Sequence, residues 1–240
     1  MYEQRVYRDW VKEDDLMGFQ VMVKETDLFV KAERDLSIET VDLVTEYRAQ
    51  IEEYVRTDPE FQTTLKPYKV NGKAPFIVRE MAKAAALVGV GPFAAVAGAI
   101  AECVGKDLLK YTKDIIIENG GDIFIKSSLK RRVAIYSGTS SFNKKIALEI
   151  EAKDTPMGIC TSAGTIGHSL SFGKADAAVV LSSSAFLADA GATAIGNIVK
   201  NKDDIPQGIK FAQGVKGITG VVIIKDDKMG AWGNVNIVRI

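Results

Sequence analysis

Six short apolar runs follow one another between residues 114 and 183, and they restrict the possible folds of this chain more than any other feature. The runs read DIIIE, DIFIKS, RVAIYSG, KIALEIEA, MGICTSA and ADAAVVLS, with turn sequences such as ENGGD between them. Apolar runs of this length, rich in Ile and Val and bounded by Gly, Asn and Asp, indicate β-strands. The middle of the chain therefore predicts a sheet.

Helical patterns stand in blocks before and after these runs rather than alternating with them. One predicted helix covers about residues 38–56, with Ser37 as its N-cap. Its predicted apolar stripe is Ile38, Val41, Val44, the stem of Arg48, Ile51 and Val55. Further helices are predicted from Pro75 to Gly89, from Pro92 to about Lys110, over about 184–200 and over 206–213. The arrangement predicts an α+β fold, a mixed or largely antiparallel sheet with packed helices, in one domain over residues 1–240.

Further strands are predicted near both ends of the chain. The segment RVYRDWV is predicted as a strand, GFQVMVKETDLFVKAE as a hairpin about its KETD turn, and GITGVVIIK with AWGNVNIVRI as a C-terminal hairpin. The helix that begins at Pro92 consists mainly of Ala and Gly, which allow close backbone approach. We expect that helix to be buried against the sheet or against a second subunit, so a homo-oligomer is one expectation.

Charge and hydropathy exclude several classes of protein. Lys+Arg and Asp+Glu both number 31, so no net charge draws the chain to nucleic acid or to anionic lipid. The longest apolar run, near residues 88–101, falls short of the ~20 residues that cross a bilayer. The N-terminal MYEQRVYRDW is charged and lacks the apolar core of a signal peptide. We therefore expect a cytoplasmic protein that binds neither nucleic acid nor membrane.

A polar stripe marks the otherwise apolar helix after residue 184. Asp189, Thr193 and Asn197 stand four residues apart and so share one side of the helix. A carboxylate and a hydroxyl at this spacing can reach one hard cation, and Mg²⁺ needs only one or two protein carboxylates. Asp189 and Thr193 are therefore candidate metal ligands. The alternative is that Thr193 bonds back to a helix carbonyl and Asp189 is capped locally or solvated.

The chain has one histidine and two cysteines, and their spacing does not match a zinc motif. His168 lies among glycines and hydroxyl residues in TIGHSLS, where an imidazole could meet a ligand or be structural. Cys160 precedes TSAG, whose donors could stabilise a thiolate or a phosphate, but a buried inert cysteine is the common outcome. Cys103, inside the Ala-rich helix, is expected to be inert.

Four segments, taken in order, resemble an anaerobe-associated branch of the ApbE superfamily, which includes flavin transferases. They read VGVGPFAAVAGAIAE, IIIENGGDIFI, GICTSAGTIGHSLSFGKAD and LADAGATAIGN, so the resemblance covers nearly the whole chain. It implies an ApbE-like α+β fold. The transferases of this superfamily bind FAD and Mg²⁺ and attach FMN to Thr or Ser of partner proteins.

Site residues follow from the resemblance, motif by motif. LADAGAT resembles the motif whose Asp and Thr hold the metal, which implies Asp189 and Thr193. NGGD resembles the double-glycine hairpin that lines the flavin site, and CTSAG resembles a motif beside the flavin diphosphate. The flavin-binding candidates are Asn119, Gly120, Gly121 and Asp122 from the first and Thr161, Ser162 and Gly164 from the second.

The remaining motif departs from the transferases. His168 falls on the histidine of their HxxDPxTG motif, but Ser171 stands in the place of the aspartate and the proline is missing. The resemblance therefore implies that a flavin (FAD or FMN) or a related nucleotide binds with Mg²⁺, with His168 as the proton shuttle of any reaction, and it weakens the case for covalent flavin transfer.

Two alternatives to flavin binding follow from the same motifs. Members of this branch are linked to sulfide assimilation and homocysteine biosynthesis, which implies a sulfur-handling accessory protein that carries sulfur on Cys160 to a partner enzyme. The second alternative is a non-catalytic binding subunit that kept the fold and lost the chemistry, which the altered HSLSFG segment favours.

Overall fold

An eight-stranded antiparallel sheet is the central layer of the computed structural model, which describes residues 15–143, 145–164 and 174–240. Its strand order is β1-β2-β3-β4-β7-β8-β9-β10. The strands are β1 (Met17–Val23), β2 (Thr26–Ala32), β3 (Ile115–Asn119), β4 (Asp122–Lys126), β7 (Met157–Ser162), β8 (Ala177–Ser182), β9 (Ile218–Lys225) and β10 (Lys228–Gly233). A second sheet of three strands contains β5 (Arg131–Ala134), β6 (Ile146–Ile150) and β11 (Ile237–Arg239) in the order β11-β6-β5.

The six apolar runs form strands β3 to β8, which confirms that prediction. In β8, Ala178 and Val180 face one buried layer, whereas Val179 and Leu181 face the other. Successive side chains of a strand point to opposite faces of its sheet. The large sheet therefore has helices on one face and the small sheet on the other.

The helices are α1 (Ser37–Thr57), α2 (Glu60–Thr63), α3 (Phe76–Val88), α4 (Val96–Leu108), α5 (Ala185–Ile198) and α6 (Ile205–Gly214), with a 3₁₀ turn over Pro92–Ala95 before α4. Helix α3 ends at Gly89, whose φ of 76° is the left-handed conformation that favours glycine. In the described ranges no single helix is long and apolar enough to cross a membrane; α3 with Pro92–Leu108 passes that test only as a pair bent by 102°.

Helix α4 lies on the large sheet, as its small residues predict. A Cβ at Gly105 would come within 2.3 Å of the ring of Phe124 on β4, so this glycine sets the helix-to-sheet distance. A Cβ at Gly98 would come within 2.3 Å of the Ala185 carbonyl oxygen, which brings α4 against α5. Such approaches require glycine because any side chain would meet backbone or a packed ring.

Two details of the predicted elements are wrong. Ser37 does not cap α1: Leu36 is the N-cap, so Ser37 is already the first residue of the helix, and its N–H donates to Asp35 Oδ1 at 2.8 Å. Ile38 and Val41 are exposed, and the buried face of α1 is formed by Thr40, Val44 and Ile51.

The C-terminal hairpin is shorter than predicted. Strand β10 begins at Lys228 and pairs with β9 as far as Gly233, whose φ is 87°. The chain then leaves the large sheet, and β11 pairs with β6 in the small sheet. The predicted strand RVYRDWV lies outside the described residues. The fold class, α+β with an antiparallel sheet and packed helices, is confirmed.

Candidate functional site

A tight hairpin places the first candidate residues. Gly120 and Gly121 have φ values of 67° and 101°, the left-handed conformations that a two-residue type I′ turn needs at both central positions. Asn119 and Asp122 are directly opposed across this turn. The NGGD sequence thus folds locally and holds these two side chains at the end of β3 and the start of β4.

The hairpin is tied to the first turn of α4. Asn119 Nδ2 donates to the Ala97 carbonyl oxygen at 3.1 Å, and Asn119 is buried. On the turn itself, the Gly121 N–H donates to Glu118 Oε1 at 2.7 Å. The predicted ligand-binding amide of Asn119 therefore already has a structural partner in this arrangement.

Asp189 reaches the same place from α5. Its Oδ2 accepts a hydrogen bond from the Gly98 N–H at 2.9 Å, and the Ala97 N–H also stabilises its charge. Helix α4 has Ala95 as its N-cap, which offers no side-chain acceptor. Asp189 thus caps α4 from a different helix, and the local cap or solvation considered for Asp189 is not what the structure contains.

Helix α4 caps α5 in return. Glu102 Oε2 accepts hydrogen bonds from the Ala185 N–H and from the Ser184 hydroxyl, the latter at 3.2 Å. Glu102 Oε1 pairs with Lys106 Nζ, and only 3% of Glu102 is exposed. Glu102 is not among the predicted site residues, although it is the only charged residue in the stretch 88–105.

Asp122 and Cys160 are opposite each other on β4 and β7, on the sheet face that α5 covers. Asp122 is 8% exposed, and Cys160 is completely buried. Burial raises the pKa of Asp122, and hydrogen bonding from the Cys160 thiol and the Thr161 N–H opposes that rise. The thiol also lies within hydrogen-bond distance of the Ala185 carbonyl oxygen, with Sγ and O 3.6 Å apart. Asp122 Oδ1 is buried and accepts no hydrogen bond from any of the described residues.

Burial is the main cause of the raised pKa values in this cluster, Asp122, Cys160 and Asp189. Burial raises the pKa of Asp189 to about 7, against the lowering effect of the Gly98 and Ala97 N–H groups. Burial, followed by the charge of Asp189, raises the pKa of Asp122 well above its usual value. Burial and these two carboxylates also raise the pKa of the Cys160 thiol, so the thiol is protonated at neutral pH.

The other predicted residues are spread around the cluster. Ser162 is on the same face of β7 as Cys160, whereas Thr161 points to the opposite face, towards the small sheet. Gly164 is exposed, and its N–H already donates to the Ala175 carbonyl oxygen at 2.9 Å. Thr193 follows Asp189 by one turn of α5 and is half-buried. His168 and Ser171 lie outside the described residues.

The donor set fits a hard cation that takes few protein ligands. Within residues 15–143, 145–164 and 174–240, no group of three or more His, Cys, Asp and Glu side chains is arranged to hold a metal ion. Two buried carboxyl groups without a cationic partner, one of them with an unpaired oxygen, are the kind of donors that Mg²⁺ shares with phosphate and water. Residues Asp122 and Asp189 therefore fit Mg²⁺, whereas they do not fit zinc.

An open groove of about 650 Å³ lies elsewhere, between α1 and the segment before α3. Glu46, Tyr54 and Lys73 are among its lining residues, and no predicted site residue lines it. The groove is shallow and exposed. It has no part in the cluster formed by Asp122, Cys160 and Asp189.

Comparison with known proteins gives sequence relatives and a fold. The family model described as AbpE bacteria matches residues 8–210. A UPF0280 protein of Methanosarcina barkeri is 40% identical over 89% of this chain and 85% of its own length. A UPF0280 protein of Methanothrix thermoacetophila is 42% identical over 82% of this chain and 83% of its own length.

Solved structures agree with this assignment at the level of the fold. The flavin transferase ApbE from Vibrio cholerae superposes with a TM-score of 0.58 at 16% identity, covering 91% of this chain and 96% of that one. The apo form of the Pseudomonas stutzeri flavinyl transferase ApbE gives 0.53 at 12% identity, covering 91% and 94%. The predicted ApbE-like fold is thereby confirmed, and the chain belongs to the AbpE bacteria family, with the UPF0280 proteins among its relatives.

Proposed function

We propose that this protein binds a flavin nucleotide, FAD or FMN, together with Mg²⁺, at the cluster formed by Asp122, Cys160 and Asp189. One observation carries the proposal. Asp189 is fixed by the first N–H groups of α4 beside the double-glycine hairpin, where Asp122 keeps a buried oxygen without a donor among the described residues. The shared fold with the flavin transferases of Vibrio cholerae and Pseudomonas stutzeri supports the choice of a flavin nucleotide.

The residues have separate roles in this proposal. Asp189 and Thr193 hold the cation, and the hairpin from Asn119 to Asp122 lies against the nucleotide. Ser162, at the end of β7, and Gly164, just after it, lie on its diphosphate side, and Thr161, whose side chain faces the small sheet, contributes its backbone there. Bound Mg²⁺ would supply positive charge to the diphosphate and act as a Lewis acid.

Binding without covalent transfer is the form of the proposal that the sequence favours. His168 is the only histidine, and HSLSFG lacks the aspartate and proline of the transferase motif. Under this proposal the protein holds a flavin nucleotide as a cofactor or carrier and does not attach FMN to another chain. The predicted partner enzyme, homo-oligomer and cytoplasmic location stay predictions.

The test is a titration of the purified protein with FAD in the presence and absence of Mg²⁺, followed by flavin fluorescence and by assay of released AMP. We expect Mg²⁺-dependent FAD binding and no AMP. Asp189→Asn should weaken FAD binding by about tenfold or more, because the neutral side chain is a poor Mg²⁺ ligand.

The matched control is Asp107→Asn, which changes a carboxylate at the other end of α4. Asp107 accepts from Tyr47 and pairs with Lys110, away from the hairpin. Unchanged FAD binding is expected for it. Absence of FAD and FMN binding by the wild-type protein, or equal binding by Asp189→Asn, would overturn the proposal. Release of AMP would show instead that the protein hydrolyses FAD or transfers FMN from it.

The sulfur-handling alternative requires a reactive Cys160. A sulfur carrier needs an accessible thiolate, but this thiol is completely buried and its pKa is raised by burial and by two carboxylates. We expect Cys160 in the native protein to react with DTNB about 100-fold more slowly than in the unfolded chain, or slower still. Fast labelling that Cys160→Ser abolishes and Cys103→Ser leaves unchanged would restore the sulfur role.

A further inference from the structure

Asp122 has a buried oxygen whose ordinary partners are missing among the described residues. The side chain is 8% exposed, and Oδ1 accepts no hydrogen bond from residues 15–143, 145–164 or 174–240. Leaving a buried carboxyl oxygen without a donor is costly, because the group loses water and gains nothing in return. A bound ion is one of the explanations for such an oxygen in a folded protein.

The charge that acts most strongly on Asp122 is that of a second carboxyl group, Asp189, rather than that of a base. Asp189 lies near enough for its charge to act on Asp122, and no described Lys or Arg forms an ion pair with either residue. Two buried like charges repel each other unless a proton or a cation lies between them. A divalent cation held by both oxygens would balance the two charges at once.

The two carboxyl groups are also held in fixed orientations. The Gly98 N–H holds Asp189 Oδ2, and the register between β4 and β7 holds Asp122 opposite Cys160. The side chains come from a strand and a helix of the packed core, so their separation does not depend on a loop. Fixed oxygen donors lower the cost of organising a cation site when the ion arrives.

We propose that Asp122 is a second carboxylate ligand of the cation, so that Asp122 and Asp189 together bind a divalent cation before any nucleotide is present. This inference rests on the proposed function for the role of Asp189 and adds Asp122, which the family motif assigns only to the flavin. The cation is a hard one, Mg²⁺ or Mn²⁺, because its ligands are oxygens. Thr193, water and a phosphate oxygen complete its coordination.

The test uses Mn²⁺ alone with nucleotide-free protein, followed by electron paramagnetic resonance of free Mn²⁺ and by thermal unfolding. The wild-type protein should bind one Mn²⁺ and unfold at a higher temperature with it. Asp122→Asn keeps the side-chain shape but removes the charge, so it should bind Mn²⁺ about tenfold more weakly or worse. Asp107→Asn, the control on α4, should bind Mn²⁺ like the wild type.

Thermal unfolding without metal separates a lost ligand from a damaged fold. Because Asp122→Asn replaces a buried carboxyl group beside Asp189 with a neutral amide of the same shape, it should unfold at the same or a higher temperature than metal-free wild type, and Mn²⁺ should no longer raise that temperature. Equal Mn²⁺ binding by wild type and Asp122→Asn would overturn the inference.

Measuring nucleotide binding as well shows whether the role of Asp122 or the proposed flavin binding is wrong. If the wild type binds no Mn²⁺ alone but binds FAD with Mg²⁺ in an Asp189-dependent way, the role of Asp122 as a ligand is wrong and the proposed function stands. If Mn²⁺ binds through Asp122 and Asp189 but no flavin binds, the cation site stands and the proposed function is wrong.

Discussion

Helices α4 and α5 cap each other with buried carboxylates, and the two caps differ in charge balance. At the start of α5, Glu102 accepts from Ala185 and Ser184 and pairs with Lys106. At the start of α4, Asp189 accepts from Gly98 and has no cationic partner among the described residues. Both carboxylates cap a helix, but only the charge of Glu102 is balanced by a lysine.

This difference separates a structural residue from a candidate functional one. A buried carboxylate whose charge is balanced by helix N–H groups and a lysine needs nothing further. Asp189 has the helix N–H groups, but it also has Asp122 beside it, and burial raises the pKa of both residues. Only the second cap therefore leaves a negative charge that a cation could balance.

The largest effect is expected where the two caps meet, at Gly98. A Cβ there would come within 2.3 Å of the Ala185 carbonyl oxygen and 2.9 Å of Asp189 Cβ, so Gly98→Ala forces α4 and α5 apart and strains both caps. We expect a loss of about 3 kcal/mol in the free energy of unfolding, the upper end for overpacking a core. Urea denaturation measures it.

Gly72→Ala is the control for the Gly98 substitution. No atom lies within 4 Å of the Cβ that would be added at Gly72, so its free energy of unfolding should change little. A Gly98→Ala protein as stable as Gly72→Ala would show that the helices tolerate a wider separation. The reciprocal capping would then not determine how α4 and α5 pack.

The next effect concerns the compensated cap. Glu102→Ala leaves the Ala185 N–H without its acceptor and should cost about 2–3 kcal/mol in urea denaturation, the range for a lost cap with a buried unpaired donor. Glu80→Ala removes a surface pair with Lys83 at similar spacing and should cost about 0.5 kcal/mol or less. If both cost the same, Glu102 contributes only as an ion pair.

Local patterns in the sequence predict the strands and most helix ends, because alternation, proline and glycine act within a few residues. They also find Asp189, since a carboxylate is conspicuous in an apolar helix. The partner of each cap is out of reach of such patterns: Glu102 meets Ala185 across 83 positions, and Gly98 meets Asp189 across 91. The Ser37 cap is wrong for a local reason: the helix begins one residue earlier than predicted, with Leu36 as its N-cap and Asp35 accepting from the Ser37 N–H.

The NGGD motif identifies Asp122 as a site residue, but the resemblance assigns it only to flavin binding. The unpaired oxygen of Asp122 depends on how β4 pairs with β7 and on where α5 lies, which are tertiary facts. Likewise, the sequence offers Cys160 as a sulfur carrier, and only burial beside two carboxylates reveals why its thiol stays protonated. Site chemistry was therefore less predictable than the fold.

The smallest expected effect is the pH dependence of the free energy of unfolding that comes from Asp189, the cap without a cationic partner. Because burial raises the pKa of Asp189 to about 7, the folded protein holds a proton that the unfolded chain releases at lower pH. Stability from this group is complete below the unfolded value near pH 4 and is lost as pH rises through the folded value. Between about pH 5 and about pH 8 the metal-free wild type should lose about 2 kcal/mol.

Asp189→Asn isolates this contribution, because the amide keeps an oxygen for the Gly98 N–H but does not titrate. The difference in unfolding free energy between wild type and Asp189→Asn, measured by urea denaturation, should shrink or reverse as pH rises, and saturating Mg²⁺ should restore the wild type at the higher pH. A difference independent of pH would mean that Asp189 is as well compensated as Glu102. The contrast between the two caps would then disappear, and with it the reason to look for a cation at Asp189.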